Sequence, residues 1–199
     1  AALAGFSVQS VPSNAAGRVD LDALKKLLTP DVALVMVTCP NTLGLFEDQI
    51  QQIADCVHKN GSLLYMDGAN FNALVGLVEP AKLGFDIMHL NLHKTFSVPH
   101  GGGGPGAGPV GVTQELAKYL PVPRIVKEKD KFKLVTDSAQ SIGQLKAFFG
   151  NTGALVRAYT YILSLGQDGL QSVSRNAILN ANYLRVKLKG FFKPFIDEQ

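Results

Sequence analysis

The sequence has few cysteines, few charged residues and no long apolar run. It carries two cysteines, Cys39 and Cys56, in 199 residues and has no Cys-x-x-Cys pair. Two such cysteines do not make a disulfide framework, so we expect a reducing compartment, the cytoplasm. No apolar run reaches the ~18 residues that a membrane span needs, and there is no signal peptide, so no membrane association is expected.

Charged residues make up 18% of the chain and hydrophobic residues 46%, which is ordinary globular composition and excludes a disordered chain. The net charge of +3 is spread along the sequence. The densest basic stretch, residues 127–133, alternates lysines with Glu128 and Asp130. No nucleic-acid-binding motif or aromatic platform accompanies it, so we interpret it as a solvated surface segment and expect no nucleic-acid partner.

Predicted strands and helices alternate along the chain. Alternating side chains predict a strand at residues 6–11, and short apolar runs predict strands at 32–37, 62–66, 85–92 and 109–112. The run at 32–37 is continuously apolar, as in a strand buried on both faces of a parallel sheet. Helical spacing predicts helices at 21–28, with Asp20 as N-cap, and at 48–59, 114–119, 153–165 and 168–188.

This alternation predicts an α/β fold with a mostly parallel sheet flanked by helices. Residues 1–150 are expected to form a large domain that is incomplete at its N-terminus. Residues 151–199 are expected to form helices that lead toward a missing smaller C-terminal domain. The candidate buried residues of these helices are Leu163, Leu170, Val173, Ile178 and Tyr183.

Polar side chains directly follow three of the predicted strands, at residues 38–44, 66–70 and 91–95. In open α/β sheets, ligands bind beyond the carboxyl ends of the strands. If these strands are neighbours in one sheet, the three polar segments converge on one crevice.

The residue types in these segments suit pyridoxal phosphate (PLP). Asp67 can keep the ring nitrogen protonated through a charge-assisted hydrogen bond. Lys94 can carry the cofactor as a Schiff base, because burial and a neighbouring cation lower the pKa of a lysine. His93 and Asn91 can donate to the phosphate. Asn70 can donate to the phenolic oxygen of the ring.

Each residue also has a simpler interpretation when it is taken alone. Asp67 and Asn41 can form turns, His93 can be a hydrogen-bonded structural histidine, and Lys94 can be a surface lysine. The glycine-rich residues 101–108 can be a flexible linker, although their position directly after the lysine favours a loop over a cofactor. They do not match a P-loop.

No metal site is predicted. Cys39 and His93 could be considered as zinc ligands, but no third ligand has a helpful spacing.

Several motifs resemble one family of PLP enzymes. These are Asp-Gly-Ala-Asn at 67–70, Asn-Leu-His-Lys-Thr-Phe at 91–96 and Pro-His-Gly-Gly-Gly-Gly-Pro-Gly at 99–106. With residues 41–47, 155–159 and 179–184, they resemble the P-protein of the glycine cleavage system, glycine dehydrogenase (decarboxylating), a PLP-dependent transferase of fold type I. The resemblance covers nearly the whole chain and is strongest to subunit 2 of the split bacterial form.

The resemblance implies PLP bound covalently to Lys94, decarboxylation of glycine, and transfer of the aminomethyl group to the lipoyl arm of H-protein. It implies that Asp67 pairs with the ring nitrogen, Asn70 with the phenolic oxygen, and Asn91 and His93 with the phosphate. Asn41 is expected to face the ring or the substrate. A homodimer, or a heterotetramer with subunit 1, is expected.

In the family, a histidine that stacks on the ring and residues that hold the phosphate lie upstream of these motifs. The 199 residues alone are therefore expected to be inactive and to bind PLP poorly. Two alternatives stay open. One is another fold-type-I PLP enzyme, such as a cysteine desulfurase or an aminotransferase. The other is a non-catalytic structural subunit.

Overall fold

The computed structural model describes residues 1–193. Its main sheet has four strands in the order β1 (Leu34–Thr38), β2 (Leu63–Gly68), β3 (Ile87–Leu90) and β4 (Val110–Val112). The first three strands run parallel, and β4 pairs with β3 in the antiparallel direction. The predicted α/β architecture with a mostly parallel sheet is confirmed.

Two helices precede β2 along the chain, and each begins or ends as its sequence predicts. Helix α1 (Leu21–Leu27) begins at Asp20, whose side chain accepts hydrogen bonds from the backbone N–H groups of Asp22 and Ala23. Helix α2 (Ile50–Lys59) ends at Asn60. Gly61 then turns the chain at φ 82°, a conformation that glycine adopts without a steric penalty.

The main core lies between α2 and one face of the sheet. The buried residues of α2 recur at helical spacing and pack with buried residues of β1 and β2; they are Ile50, Ile53, Ala54, Val57, Val37, Leu64 and Met66. Burial of this apolar stripe contributes about 1.5–3 kcal/mol per large side chain. This packing holds β1 and β2 in place and so fixes the positions of their carboxyl ends.

The prediction that β1 is buried on both faces is wrong. Leu34 is 37% exposed and Met36 is 59% exposed, whereas Val37, which points to α2, is buried. The physical reason is the position of β1 at the edge of the sheet, with α2 covering one of its faces. A continuous apolar run cannot distinguish a central strand from an edge strand.

Residues 6–11, predicted as a strand, have no regular structure, and Phe6 and Val8 are exposed. Alternation of side chains does not make a strand when no partner strand lies beside it. The helix predicted at 114–119 is shorter, a 3₁₀ helix at Ala117–Tyr119.

The basic stretch lies on a two-stranded antiparallel hairpin of β5 (Arg124–Glu128) and β6 (Lys131–Val135), which was not predicted. Its lysines are exposed. Ile125, Phe132 and Leu134 of the hairpin are exposed as well.

After β3 a short helix, α3 (Leu92–Thr95), follows directly. Helix α4 (Thr152–Leu188) covers both predicted C-terminal helices and is broken at Gly166, whose φ of 62° and ψ of −173° are not helical. The break falls between the two predicted helices, which is why their apolar spacings do not continue as one helical pattern. Residues 194–199 of the predicted helical region lie outside the described residues.

The predicted burial on α4 is largely wrong. Leu163 and Tyr183 are 63% and 60% exposed, and Val173 and Ile178 are also exposed. Leu170 is partly buried and packs against the main core. The buried residues of α4 are the smaller Ala154, Ala158 and Ser174, which allow close approach to the rest of the fold. Within residues 1–193, no helix is long and apolar enough to cross a membrane.

Candidate functional site

The carboxyl ends of β1, β2 and β3 meet at one edge of the sheet, because these strands are parallel neighbours. Thr38 lies beside Asp67 across the first strand pair, and Asp67 lies beside His89 across the second. The predicted convergence of the three polar segments on one edge is confirmed by this pairing. The three side chains form a polar row on the sheet face opposite to α2.

Asp67 lies near the end of β2, and its carboxylate is held at both oxygens. Oδ1 accepts a hydrogen bond from the backbone N–H of Ala69 at 2.9 Å. Oδ2 accepts one from the hydroxyl of Thr38 at 3.4 Å. The bond from Ala69 is that of an Asx turn, so Asp67 does begin a turn. Its side chain remains 26% exposed and is accessible to a ligand.

Tyr65 extends this polar row through a contact with His89. Nε2 of His89 lies 3.4 Å from Oδ1 of Asp67, and its Nδ1 lies 2.9 Å from the hydroxyl oxygen of Tyr65. Burial, and after it the negative charge of Asp67, raise the pKa of the Tyr65 phenol. The phenol therefore keeps its proton, which it can donate to the imidazole.

Lys94 lies on α3, immediately after the end of β3. Leu92 and Thr95 are buried and fix this short helix against the fold, and Asn91 accepts the backbone N–H bonds of Lys94 and Thr95 at its carbonyl oxygen. The side chain of Lys94 is exposed. The expectation that Lys94 is buried is therefore wrong for this chain, because no part of the described residues covers it.

His93 presents a buried polar atom beside this lysine. Its Nδ1 has no hydrogen-bond partner among the described residues, and the same holds for the buried hydroxyl oxygen of Thr95. The ring of His93 contacts the ring of His100 edge-on, with 4.6 Å between centroids. Buried polar groups normally have partners. These two atoms are thus available to a polar ligand at the start of α3.

Asn70 and Asn41 hold the loops that follow β2 and β1. The amide nitrogen of Asn70 donates to the carbonyl oxygen of Pro40 at 3.0 Å and links the two loops. The amide nitrogen of Asn41 donates to the carbonyl oxygen of Gly17 at 2.8 Å. Its side-chain oxygen accepts from the N–H groups of Leu43 and Leu45. Asn41 is therefore a turn former here, and its contact with a ring or substrate stays a prediction.

The glycine-rich segment, residues 101–108, is fixed beside α3 by hydrogen bonds to its backbone carbonyl oxygens. Leu92 donates its N–H to the carbonyl oxygen of Ala107 at 3.2 Å. The side-chain amide of Asn151 donates to the carbonyl oxygen of Gly106 at 2.8 Å. Both bonds are inconsistent with an independent flexible linker and keep the segment next to Lys94.

The donor set fits PLP. An exposed amine, a carboxylate at a neighbouring strand end and an unpaired buried imidazole nitrogen correspond to the aldehyde, ring nitrogen and phosphate of the cofactor. Among residues 1–193, no group of three His, Cys, Asp or Glu side chains could hold a metal ion.

Tyr65 and His89 were not predicted as members of the site, and Thr38 was predicted only as the first residue of the polar segment 38–44. Their signal is the strand register, which places all three around Asp67. His89 lies two residues before Asn91, on the same side of the chain by strand alternation. That alternation was readable from the sequence, but the neighbour of each residue across the sheet was not.

Solved structures of other proteins share this fold. A cysteine desulfurase from Thermococcus onnurineus matches 93% of this chain and 46% of its own, with a TM-score of 0.62 and 18% identity. A sphingosine-1-phosphate lyase from Burkholderia pseudomallei matches 96% of this chain and 43% of its own, with a TM-score of 0.66 and 15% identity. These likenesses concern the fold alone and agree with the predicted fold-type-I class.

Relatives found by sequence share a much higher identity with this chain. A probable glycine dehydrogenase (decarboxylating) subunit 2 from Chlorobium chlorochromatii is 60% identical over 188 residues, which is 94% of this chain and 39% of the relative. The protein with the same description from Caldanaerobacter subterraneus is 53% identical over 198 residues. The chain thus spans about 40% of the length of the relatives it matches.

A family model described as glycine cleavage system P-protein matches residues 4–199. The match includes every residue of the polar row, the lysine on α3 and the glycine-rich segment. The chain belongs to the glycine cleavage system P-protein family.

Proposed function

We propose that the protein containing this chain decarboxylates glycine with PLP and transfers the aminomethyl group to the lipoyl arm of H-protein. The observation that carries the proposal is the placement of Asp67 and of the segment bearing Lys94 at the ends of neighbouring parallel strands, in a chain of the P-protein family. The relatives' description, glycine dehydrogenase (decarboxylating), names glycine and its decarboxylation.

Lys94 is the proposed attachment point for the cofactor. Its amine is exposed at the strand edge, where an aldehyde can reach it. Asp67 would hold a proton at the ring nitrogen, because its carboxylate is accessible and already oriented by Thr38 and Ala69. When bound, PLP supplies the electron sink for the bond to the glycine carboxylate. The protein's contribution is to orient that bond and to keep the ring nitrogen charged.

His93 and Asn91 are the proposed phosphate donors. The unpaired Nδ1 of His93 is the strongest support, since a buried nitrogen without a partner is expected to meet one when the ligand binds. Asn70 would donate to the phenolic oxygen with the amide hydrogen that does not face Pro40. Asn41 would act on the ring or substrate from the loop that it holds.

The partners follow from the family and the relatives' description. The words "subunit 2" support a partner subunit, which we propose to be subunit 1 of the P-protein in a heterotetramer; a homodimer is the alternative assembly. Glycine and lipoylated H-protein are the proposed substrates. Cys39 and Cys56 are both free thiols, which supports a reducing location such as the cytoplasm.

The test uses the full-length protein with its partner subunit, PLP and a lipoylated carrier. Exchange of labelled bicarbonate into glycine is measured for the wild type and for Lys94→Ala. We expect the variant to lose exchange together with the visible absorption of lysine-bound PLP. Lys82→Ala is the control, since Lys82 is an exposed lysine that pairs with Glu79 at 2.8 Å on a different segment.

Full exchange in Lys94→Ala would overturn the assignment of the lysine. If the wild type releases sulfide from cysteine and does not exchange bicarbonate into glycine, it would instead be a desulfurase. If neither the wild type nor Lys94→Ala binds PLP although the complex is intact, the structural-subunit alternative would be favoured.

A further inference from the structure

We propose that His89 is a positioning residue that holds the Asp67 carboxylate in place for the cofactor ring, and that Tyr65 sets the proton position on His89. The inference rests on the proposed function, because it takes PLP as the ligand of Asp67. It adds two residues that have no role in the reaction as proposed above.

The first step is the register of the sheet. Asp67 on β2 and His89 on β3 are direct neighbours across a parallel pair, so both side chains project from the same face. Tyr65 lies two residues before Asp67 on that face and reaches His89 diagonally, with ring centroids 5.7 Å apart. This arrangement is built by regular strands, which are more rigid than the loops around them.

The second step is the direction of the hydrogen bonds. A protonated phenol at Tyr65 donates to Nδ1 of His89 across 2.9 Å. A neutral imidazole that accepts at Nδ1 carries its proton on Nε2, the atom that lies 3.4 Å from Oδ1 of Asp67. The geometry favours this assignment, because an ionised carboxylate can only accept hydrogen bonds and Nε2 is the ring nitrogen that faces Asp67.

The third step is what the carboxylate gains. Oδ1 is then flanked by two donors, the Ala69 N–H and His89 Nε2, while Oδ2 faces the Thr38 hydroxyl. The 3.4 Å separation from His89 is long for a hydrogen bond, as contacts in sites without their ligand often are. Donors to a carboxylate favour its charged form, which in turn favours a protonated ring nitrogen. His89 would act on the cofactor only through Asp67.

The first measurement needs no cofactor. In the full-length protein labelled with ¹⁵N-histidine, the shifts of the His89 ring nitrogens are compared between the wild type and Tyr65→Phe. We expect a proton on Nε2 and an accepting Nδ1 in the wild type, and a loss of that preference in the variant. A proton on Nδ1 in the wild type, or identical shifts in both proteins, would contradict the proposed role of Tyr65.

The second measurement is the dissociation constant of PLP for His89→Leu and His89→Gln, each in the full-length protein with its partner subunit. Loss of an outer hydrogen bond to a metal-binding side chain typically costs about 10- to 100-fold in metal affinity or activity, and by the same reasoning we expect PLP binding to weaken about tenfold in His89→Leu. The amide nitrogen of glutamine can take the place of Nε2, so His89→Gln should recover most of the affinity.

His58→Leu is the matched control. His58 on α2 also pairs with an aspartate, at 2.8 Å from Oδ2 of Asp86, on the far side of the sheet from the polar row. It should bind PLP as the wild type does. Urea unfolding of every variant separates loss of the fold from loss of the site. If His89→Leu does not fold, the comparison of His89→Gln and Tyr65→Phe with the wild type decides the question.

The outcomes separate the two proposals. Wild-type PLP affinity in His89→Leu, or equal losses in His89→Leu and His89→Gln when both are folded, would overturn the role of His89 and leave the glycine reaction standing. If the His89 variants show the expected PLP affinities but the wild type does not exchange bicarbonate into glycine, the role of His89 would stand and the proposed reaction would be overturned.

Discussion

The side-chain amide of Asn151 donates to the carbonyl oxygen of Gly106 at 2.8 Å, and so ties the glycine-rich segment to the start of α4. The same amide lies 3.4 Å from the carbonyl oxygen of Gly104. One side chain therefore fixes two points of a segment that otherwise has few side chains of its own. The position of this segment next to Lys94 depends on a residue more than 40 positions later in the chain.

Replacement of Asn151 by alanine should loosen the glycine-rich segment. We expect a loss of about 1 kcal/mol in local stability, because a typical hydrogen bond contributes that much. Hydrogen exchange of the amides of residues 101–108 should therefore accelerate. Asn182→Ala is the control, since its amide donates to Ile178 on the exposed surface of the same helix. Unchanged exchange in Asn151→Ala would show that the segment is held by its backbone bonds alone.

Replacement of Ser174 by alanine should destabilise the fold. Ser174 is fully buried, and its hydroxyl lies within 3.0 Å of the carbonyl oxygens of Asn72 and Val75. Loss of the donor leaves buried acceptors without a partner, at a cost of about 1–3 kcal/mol. Urea unfolding measures this cost. Ser164→Ala, which removes an exposed hydroxyl from the same helix, should change stability by less than about 0.5 kcal/mol.

Replacement of Gly68 by alanine should disturb the site and the sheet together. A Cβ atom at this position would overlap the carbonyl oxygen of His89 on the neighbouring strand. Relief of the overlap requires a shift of β2 against β3, for which we expect a cost of about 1–3 kcal/mol. Gly153→Ala on α4, where a Cβ meets nothing within 4 Å, is the control. Equal unfolding midpoints for the two variants would contradict the close approach of the strands.

The stability of the chain should fall at alkaline pH through Cys39. Burial, and with it the charge of Glu47, raise the pKa of the Cys39 thiol above its ordinary value of 9.0. As the pH rises through 9.0, the unfolded thiol loses its proton before the folded one does, so ionisation favours the unfolded state. This contribution to stability is present below pH 9.0 and is lost above it.

Urea unfolding at a series of pH values checks this expectation. Cys39→Ala should lose part of the alkaline decline, whereas Cys56→Ala, which leaves Cys39 in place, should keep it. An alkaline decline of the same size in wild type and Cys39→Ala would assign the effect to other groups.

The sequence carried enough information for the four strands of the main sheet and for the order of the site segments. The mainly apolar run at residues 62–66 is followed directly by Asp67, so both the strand and its polar end were predictable. The helix break near Gly166 was visible as two separate apolar patterns. What could not be predicted is which side chains oppose each other across the sheet. His89 therefore escaped notice, although it lies beside Asp67.

The prediction of buried residues on α4 was wrong for a related reason. Periodicity identifies an apolar face of a helix but not the surface that covers it, so Leu163 and Tyr183 were expected inside and lie outside. The residues that dock α4 are small, and small residues carry little signal in a hydrophobic pattern. The exposure of Lys94 could not be predicted for the same reason. A sequence pattern places a lysine after a strand but does not show which residues surround its side chain.

The break at Gly166 gives the two halves of α4 separate attachments. The first half packs Ala154 and Ala158 against Leu92, and Arg157 donates to the carbonyl oxygen of Ser97 at 2.6 Å, next to the lysine-bearing turn. The second half is bonded through Ser174 to the turn that follows Asp67. Helix α4 thus connects the segment that carries the amine with the segment that follows the carboxylate. A substitution at the contacts of its first half would act on the former segment, and one at Ser174 would act on the latter.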